Sequence, residues 1–172
     1  EGFLDYLRDF KFTGDIWAIP EGTPIFPMEP VITVRAPAIQ AQLLETYMLL
    51  EFNHQSLIAT KASRVCRAAQ GRAVLEFGSR RAQGIAGAVT GARAAFIGGC
   101  AGTACTVSDQ VYGVPAAGTM AHSWVQMFDS EYDAFVSYCK TYPNNAVLLV
   151  DTFNTLKSGI PNAIRAFNEV LR

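Results

Sequence analysis

"RAVLEFGSRRAQGIAGAVTGARAAFIGGCAGTACTV", residues 72–107, is the stretch on which the fold turns. A short apolar run, "AVLEF", meets a Gly-Ser-Arg elbow, a stretch of helical composition follows, and "FIGGCAGTACTV" then reads as a second strand with its own elbow. The same order recurs twice downstream. "VPAAGTMAH" precedes the amphipathic "SWVQMFDSEYDAFVSYCKTYP", read as one helix, and "NAVLLVDTFNTLKSG" precedes "PNAIRAFNEVLR". Strand, loop and helix in alternation require parallel strands joined by right-handed crossovers. The pattern fits a doubly wound sheet and a (β/α) barrel equally, and in both the chemistry gathers at the carboxyl ends of the strands. Four elbows, residues 77–81, 102–104, 118–123 and 151–152, are therefore expected to converge on one rim.

Upstream the character differs. "IWAIPEGTPIFPMEPVITVRAP", residues 16–37, alternates short β-branched runs with Pro and Gly and reads as several short strands. From Pro37 the apolar spacing becomes helical, with Ala and Leu enrichment, and predicts one long helix or two consecutive ones ending near Gly71.

Composition excludes several classes of function. Half of the 172 residues are hydrophobic and 17% are charged, the profile of a chain that buries a sizeable core. Lys and Arg number 14 against 15 Asp and Glu, a net charge of −1, so no basic field exists for a nucleic acid or an anionic membrane surface. Apolar runs are broken before the roughly 20 residues a membrane span requires, and no cationic region leads into an apolar one at the start. The expected location is the cytoplasm. Cys66, Cys100, Cys105 and Cys139 form no CxxC pair and are expected to be free, buried thiols. The chain lacks an initiator Met and opens abruptly, which reads as a piece of something longer.

His122 is the first candidate for chemistry. Gly118 and Thr119 suit an elbow whose N–H groups face an anion, and Ser123 is placed to cap a helix beginning at Trp124. A lone His is often only a hydrogen-bonder; one that follows a parallel strand is a stronger candidate for chemistry. Asp151 ends "AVLLVD", where it either caps the next turn or accepts a hydrogen bond from the imidazole of His122 and fixes its tautomer. Arg80 and Arg81 are either a solvated pair or supply a planar fork for carboxylate or phosphate. Phe77 reads as core before it reads as a stacking platform, and His54, midway along a helix, reads as structural. "GGCAGTA" matches neither a dinucleotide fingerprint nor a P-loop. Residues 129–133 are acidic but lack a second cluster to complete a cation cage, and fall where helix turns are solvated. No GxSxG elbow occurs.

"EFGSRRAQG", "GGCAGT", "GTMAHSW" and "LLVDTFNTLKSGIPNAI", with "FTGDIWAIPEGTPIFPMEP" and "AQLLET…IATKASR", resemble nicotinate phosphoribosyltransferase, in order and over nearly the whole chain. The resemblance implies an α/β fold: part of an irregular (β/α) barrel of the type II phosphoribosyltransferase kind, preceded by part of an α+β open-faced domain. Residues 1–36 would belong to that N-terminal domain, 37–71 would form a helical connection, and 72–172 would supply the first strands and helices of the barrel. The implied activity joins nicotinate to 5-phosphoribosyl 1-pyrophosphate, giving nicotinate mononucleotide and pyrophosphate, with Mg2+ and with ATP hydrolysed through a phosphohistidine, as the first step of NAD salvage in a cytoplasmic homodimer. The phosphoacceptor would be His122, oriented by Asp151. Arg80 would hold anionic groups, with Ser79, Thr119 and Ser123 lining the pocket and Phe77 packing on the pyridine ring. Where nicotinamide-using relatives carry an acid, this sequence carries Ala104, which favours a carboxylate substrate over an amide.

Departures from the pattern are the Ala104-Cys105 pair in place of the family's Ser-Asn, and "GIAGAVTGARAAF" in place of a "GPDGA" loop. The resemblance further implies that an aromatic N-terminal segment and the later barrel strands lie outside the chain, so the isolated chain is expected to be inactive. A phosphoribosyltransferase for another pyridine base such as nicotinamide, and a catalytically silent fragment, are the alternatives.

Overall fold

The computed structural model describes residues 2–171. It is mixed α/β and divides into two compact units, residues 1–117 and 118–172.

The first unit opens with α1 (Gly2–Arg8), which the sequence pattern did not announce, and then an antiparallel pair, β1 (Asp15–Ala18) and β2 (Ile32–Arg35), with Asp15 opposite Arg35 and Ala18 opposite Ile32. Only these two strands form where several were expected; the Pro-rich segment between them lacks the N–H groups and the conformational freedom a further ladder needs. Pro37 precedes α2 (Ala38–Ala68), a single 31-residue helix. It stops where Gln70 and Gly71 turn left-handed, at φ 51° and 84°. The buried side chain of Gln40 anchors its first turn by accepting from the Thr13 N–H at 2.9 Å.

Two very short parallel strands and one further parallel bridge follow, where the alternation predicts four strands. β3 (Leu75–Glu76) pairs with β4 (Gly102–Thr103), and Thr103 bridges in parallel to Ala116. Ladder bonds run from Ala101 N to Val74 O, Ala104 N to Glu76 O, Thr103 N to Pro115 O and Ala117 N to Thr103 O, all 2.8–2.9 Å. The crossovers are α3 (Gly84–Ile97) and α4 (Thr106–Tyr112). Small residues on α3 let it lie close against α2: Ala92, Ala94 and Ala95 are buried, and His54 of α2 reaches the Gly87 carbonyl through Nε2 at 3.2 Å. His54 thus has the structural place expected of it. The four cysteines are free thiols, and those of Cys66 and Cys100 approach to 3.9 Å. Burial, then the contact with Cys66, pushes the Cys100 thiol up to about 11.

The second unit contains α5 (His122–Val125), α6 (Glu131–Thr141) and α7 (Ile160–Val170), the last entered through a π turn at Thr155–Gly159. The single helix expected over residues 123–143 is two, because Ser130 caps α6 by accepting from the Asp133 N–H at 3.1 Å and so starts a new helix. Phe135, Cys139 and Ala166 are fully buried between α6 and α7, and Leu148, Leu149 and Val150 pack on them. "AVLLV", expected as a fourth parallel strand, makes no ladder among the described residues; its partly buried side chains pack instead on the helix pair. A Cβ on Gly159 would lie 1.8 Å from the Val150 carbonyl oxygen, so glycine lets α7 start directly on this segment. No helix among the described residues is long and apolar enough to cross a membrane.

Candidate functional site

His122 is the first residue of α5, with Ala121 at the cap position, so Ser123 lies inside the helix and does not cap it. The imidazole is exposed. Its Nδ1 lies 3.2 Å from the Thr152 hydroxyl and its Nε2 lies 3.8 Å from the Asp151 carboxylate, with 54% of the His122 and 59% of the Asp151 side chain open to solvent. At 3.8 Å the carboxylate is an ion-pair neighbour and not a hydrogen-bond acceptor. The hydrogen bond expected from Asp151 is made by Thr152 instead, a residue the sequence placed at the same elbow without a role. Two tautomers satisfy the pair. When the Thr152 hydroxyl donates to Nδ1, the proton on Nε2 faces Asp151 and Nδ1 carries the lone pair; when Nδ1–H donates to Thr152, the lone pair on Nε2 faces a carboxylate. Electrostatics favours the first. Thr119 and Ser123 are exposed on the same unit.

The residues after β3 and β4 form a second group, in residues 1–117. Ser79–Arg81 is one 3-10 turn, whose roughly 120° per residue sends Arg80 and Arg81 in different directions. Among the described residues neither guanidinium has a carboxylate within ion-pair distance. Phe77 is 42% exposed and so is not core, the reading its composition first suggests. The Ser79 hydroxyl is buried without a hydrogen-bond partner, an uncompensated polar group of the sort a ligand can satisfy. Ala104 is exposed, its N–H committed to Glu76 O at 2.9 Å.

Two open clefts of about 470 Å3 lie elsewhere, one against α1 and one lined by Gln126, Glu131, Phe153 and Asn162; neither contains His122 or Arg80. The acidic stretch after Asp129 departs from its solvated expectation at one position. Glu131 is 5% exposed; one carboxylate oxygen accepts from the Asn162 amide at 3.2 Å and the other is buried without a partner. Among the described residues no three His, Cys, Asp or Glu side chains converge as a metal site.

The family model for the nicotinate phosphoribosyltransferase N-terminal domain matches residues 1–53. A nicotinate phosphoribosyltransferase of Mycobacterium tuberculosis is 49% identical over 162 residues, covering 94% of this chain and 35% of the relative. That of Bacillus subtilis is 45% identical over 169 residues, covering 98% and 34%. The crystal structure of human nicotinic acid phosphoribosyltransferase superposes with a TM-score of 0.85 at 29% identity, over 98% of this chain and 44% of that one. Nicotinate-nucleotide pyrophosphorylase from Pyrococcus furiosus gives 0.72 at 30% identity, over 91% and 40%. The chain thus spans about a third of the length of the curated relatives it matches. With "EFGSRRAQG", "GTMAHSW" and "LLVDTFNTLKSG" all lying within the aligned length, the chain belongs to the nicotinate phosphoribosyltransferase family.

Proposed function

We propose that the protein containing this chain joins nicotinate to 5-phosphoribosyl 1-pyrophosphate, releasing pyrophosphate, and couples the reaction to ATP hydrolysis through phosphorylation of His122. The observation that carries the proposal is the exposed His122 imidazole with Thr152 at one nitrogen and Asp151 beside the other. In the tautomer set by Thr152, that hydroxyl turns its proton away as ATP enters, and the freed Nδ1 lone pair attacks the γ-phosphorus; the bond to the bridging oxygen breaks and ADP departs. The ring then carries a positive charge, and Asp151, facing Nε2–H, stabilises it. Water later cleaves the P–N bond, returning phosphate and the neutral ring. Glycosyl transfer passes through an oxocarbenium-like carbon, so the protein's task is alignment of the pyridine nitrogen and stabilisation of the departing pyrophosphate. Arg80 supplies a guanidinium for anionic groups, the orphan Ser79 hydroxyl a hydrogen bond, and Phe77 an exposed ring face, with Thr119 and Ser123 as further polar contacts. Mg2+ in this reading arrives with the substrates' phosphates and neutralises them.

In the same reading, residues 1–36 belong to an N-terminal α+β domain, 37–71 are a helical connection and 72–172 begin a (β/α) barrel of the type II phosphoribosyltransferase kind. The enzyme is a cytoplasmic homodimer opening NAD salvage. Exposed Trp17, Phe26, Leu50 and Leu57 support a chain that is silent until the rest of the protein covers it. Ala104 favours nicotinate over nicotinamide, since no acid stands there to repel a carboxylate.

Incubating the intact protein with γ-labelled ATP is expected to give an acid-labile phosphoenzyme, and His122→Ala to abolish both label and ATP coupling. Label that persists in the variant refutes the assignment. Ligand-induced thermal shifts by nicotinate, and not by nicotinamide, are expected from Ala104.

A further inference from the structure

We infer that Glu76 is a positioning residue that locks the loop after β3 to the loop after β4, and so sets where a pyridine ring and its carboxylate are held; the inference rests on the proposed function. Glu76 ends β3, and its two carboxylate oxygens are divided between two loops. One accepts from the Gly78 N–H, within the turn that carries Phe77, Ser79 and Arg80. The other accepts from the Thr103 hydroxyl at 2.6 Å. Thr103 is fully buried, and its oxygen accepts in turn from the Cys105 N–H at 2.9 Å. The Glu76 backbone carbonyl receives the Ala104 N–H at 2.9 Å. Four hydrogen bonds therefore run from or through one glutamate into the backbone on both sides of the base-binding candidates.

Glutamate is required for its two acceptors. An ionised carboxylate takes an N–H on one oxygen and an O–H on the other, and both bonds gain from its charge. A glutamine has one acceptor and must turn a donor toward either Gly78 N–H or Thr103. Gly78 is matched to the arrangement, since a Cβ there would come within 2.8 Å of the carboxylate oxygen. None of these atoms would touch a substrate, so the effect passes through the loops. Because the loops that Glu76 joins carry the proposed base contacts Phe77, Ser79, Arg80 and Ala104, and not His122, their displacement is expected to act on base binding and not on phosphorylation.

The test uses the full-length protein with E76Q, T103V and T103S. E76Q and T103V are each expected to raise the KM for nicotinate about tenfold or more, the usual cost of losing a hydrogen bond to a charged group, with kcat changed less. Labelling of His122 by ATP stays at the wild-type rate in both, and T103S, which keeps the hydroxyl, restores the wild-type KM. A wild-type KM in E76Q overturns the inference. So does loss of labelling in proportion to the rise in KM, which indicates general damage, or a T103S variant as impaired as T103V. If the wild-type protein turns over no nicotinate, the functional reading falls on its own. Amide exchange at Gly78 and Cys105 then judges the lock: faster exchange at both in E76Q upholds it, and unchanged exchange refutes it.

Discussion

His122 and Thr103 are held in opposite ways. The imidazole is more than half open to solvent, tethered by one 3.2 Å hydrogen bond with a carboxylate at 3.8 Å. The Thr103 hydroxyl is sealed from solvent and both donates and accepts, at 2.6 and 2.9 Å. Under the proposed function, a nitrogen that meets a nucleotide has to be reachable and lightly held, whereas an oxygen proposed to fix two loops has to be saturated. Substitutions among the buried, close-packed atoms should therefore act on stability and loop geometry, and those among the exposed atoms on chemistry alone.

The largest effect that sharpens this contrast is expected at Gly159. An added Cβ would meet the Val150 carbonyl oxygen at 1.8 Å and the Val150 Cβ at 3.0 Å, and backbone cannot rotate aside as a long side chain can. Gly159→Ala should lower the stability of the intact protein by about 3 kcal/mol, the upper part of the range for overpacking, read from the urea midpoint. Its φ is −58°, ordinary for any residue, so the loss would be wholly steric. An unchanged midpoint would mean that the "AVLLV" segment yields easily, and would dissolve the distinction between the rigid and the open region.

Asp151→Asn should do the reverse. Asparagine keeps the shape but removes the charge that favours an imidazolium, so phosphoenzyme formation from ATP should slow by about tenfold to a hundredfold. Stability should change by less than about 1 kcal/mol, because an ion pair this exposed is worth little. Thr152→Val should also slow labelling, through loss of the preferred tautomer. Equal losses of labelling and of stability in Asp151→Asn would place this carboxylate in the scaffold and not at the site.

The same contrast explains what could be read from the sequence. The parallel pairing of β3 with β4 and the bridge at Ala116 follow from alternating apolar runs and elbows, a local signal that recurs along the chain. The placement of His122 beside Asp151 follows from two elbows in one unit. Thr152 was legible only as a neighbour of Asp151, because which of two adjacent polar side chains faces the ring depends on backbone rotation that spacing does not encode. Glu76 gave no signal at all: a glutamate within "VLEFG" reads as a strand residue on a polar face, and its two partners are a backbone N–H and a threonine 27 positions away. The burial of Glu131 escaped for a similar reason, since the helix that covers it is α7, with Asn162 as its partner. The break between Val125 and Glu131 is hidden in the sequence because the apolar period runs through Ser130, whose capping role competes with it.

The smallest effect is expected at a contact that joins the two categories, the pair Glu21–Arg93. The Arg93 guanidinium grips both oxygens of Glu21, at 2.9 and 2.6 Å, and holds the segment between β1 and β2 against α3. The geometry is that of a strong pair, yet the Glu21 side chain is 67% exposed, so water and salt screen it. The hydrogen bonds from Arg93 hold the Glu21 carboxyl below its ordinary value of 4.5, with partial burial opposing. The folded state thus binds this proton less readily than the unfolded chain. The pair's contribution is complete above pH 4.5 and is lost as the pH falls through the folded-state value. Glu21→Gln should cost less than about 1 kcal/mol at neutral pH, should flatten the fall in stability below pH 4.5, and should match the wild type when both are measured in 1 M salt. A penalty that survives high salt would show that this bidentate contact orders the β1–β2 connection by packing and shape, and belongs with the sealed interior despite its exposure.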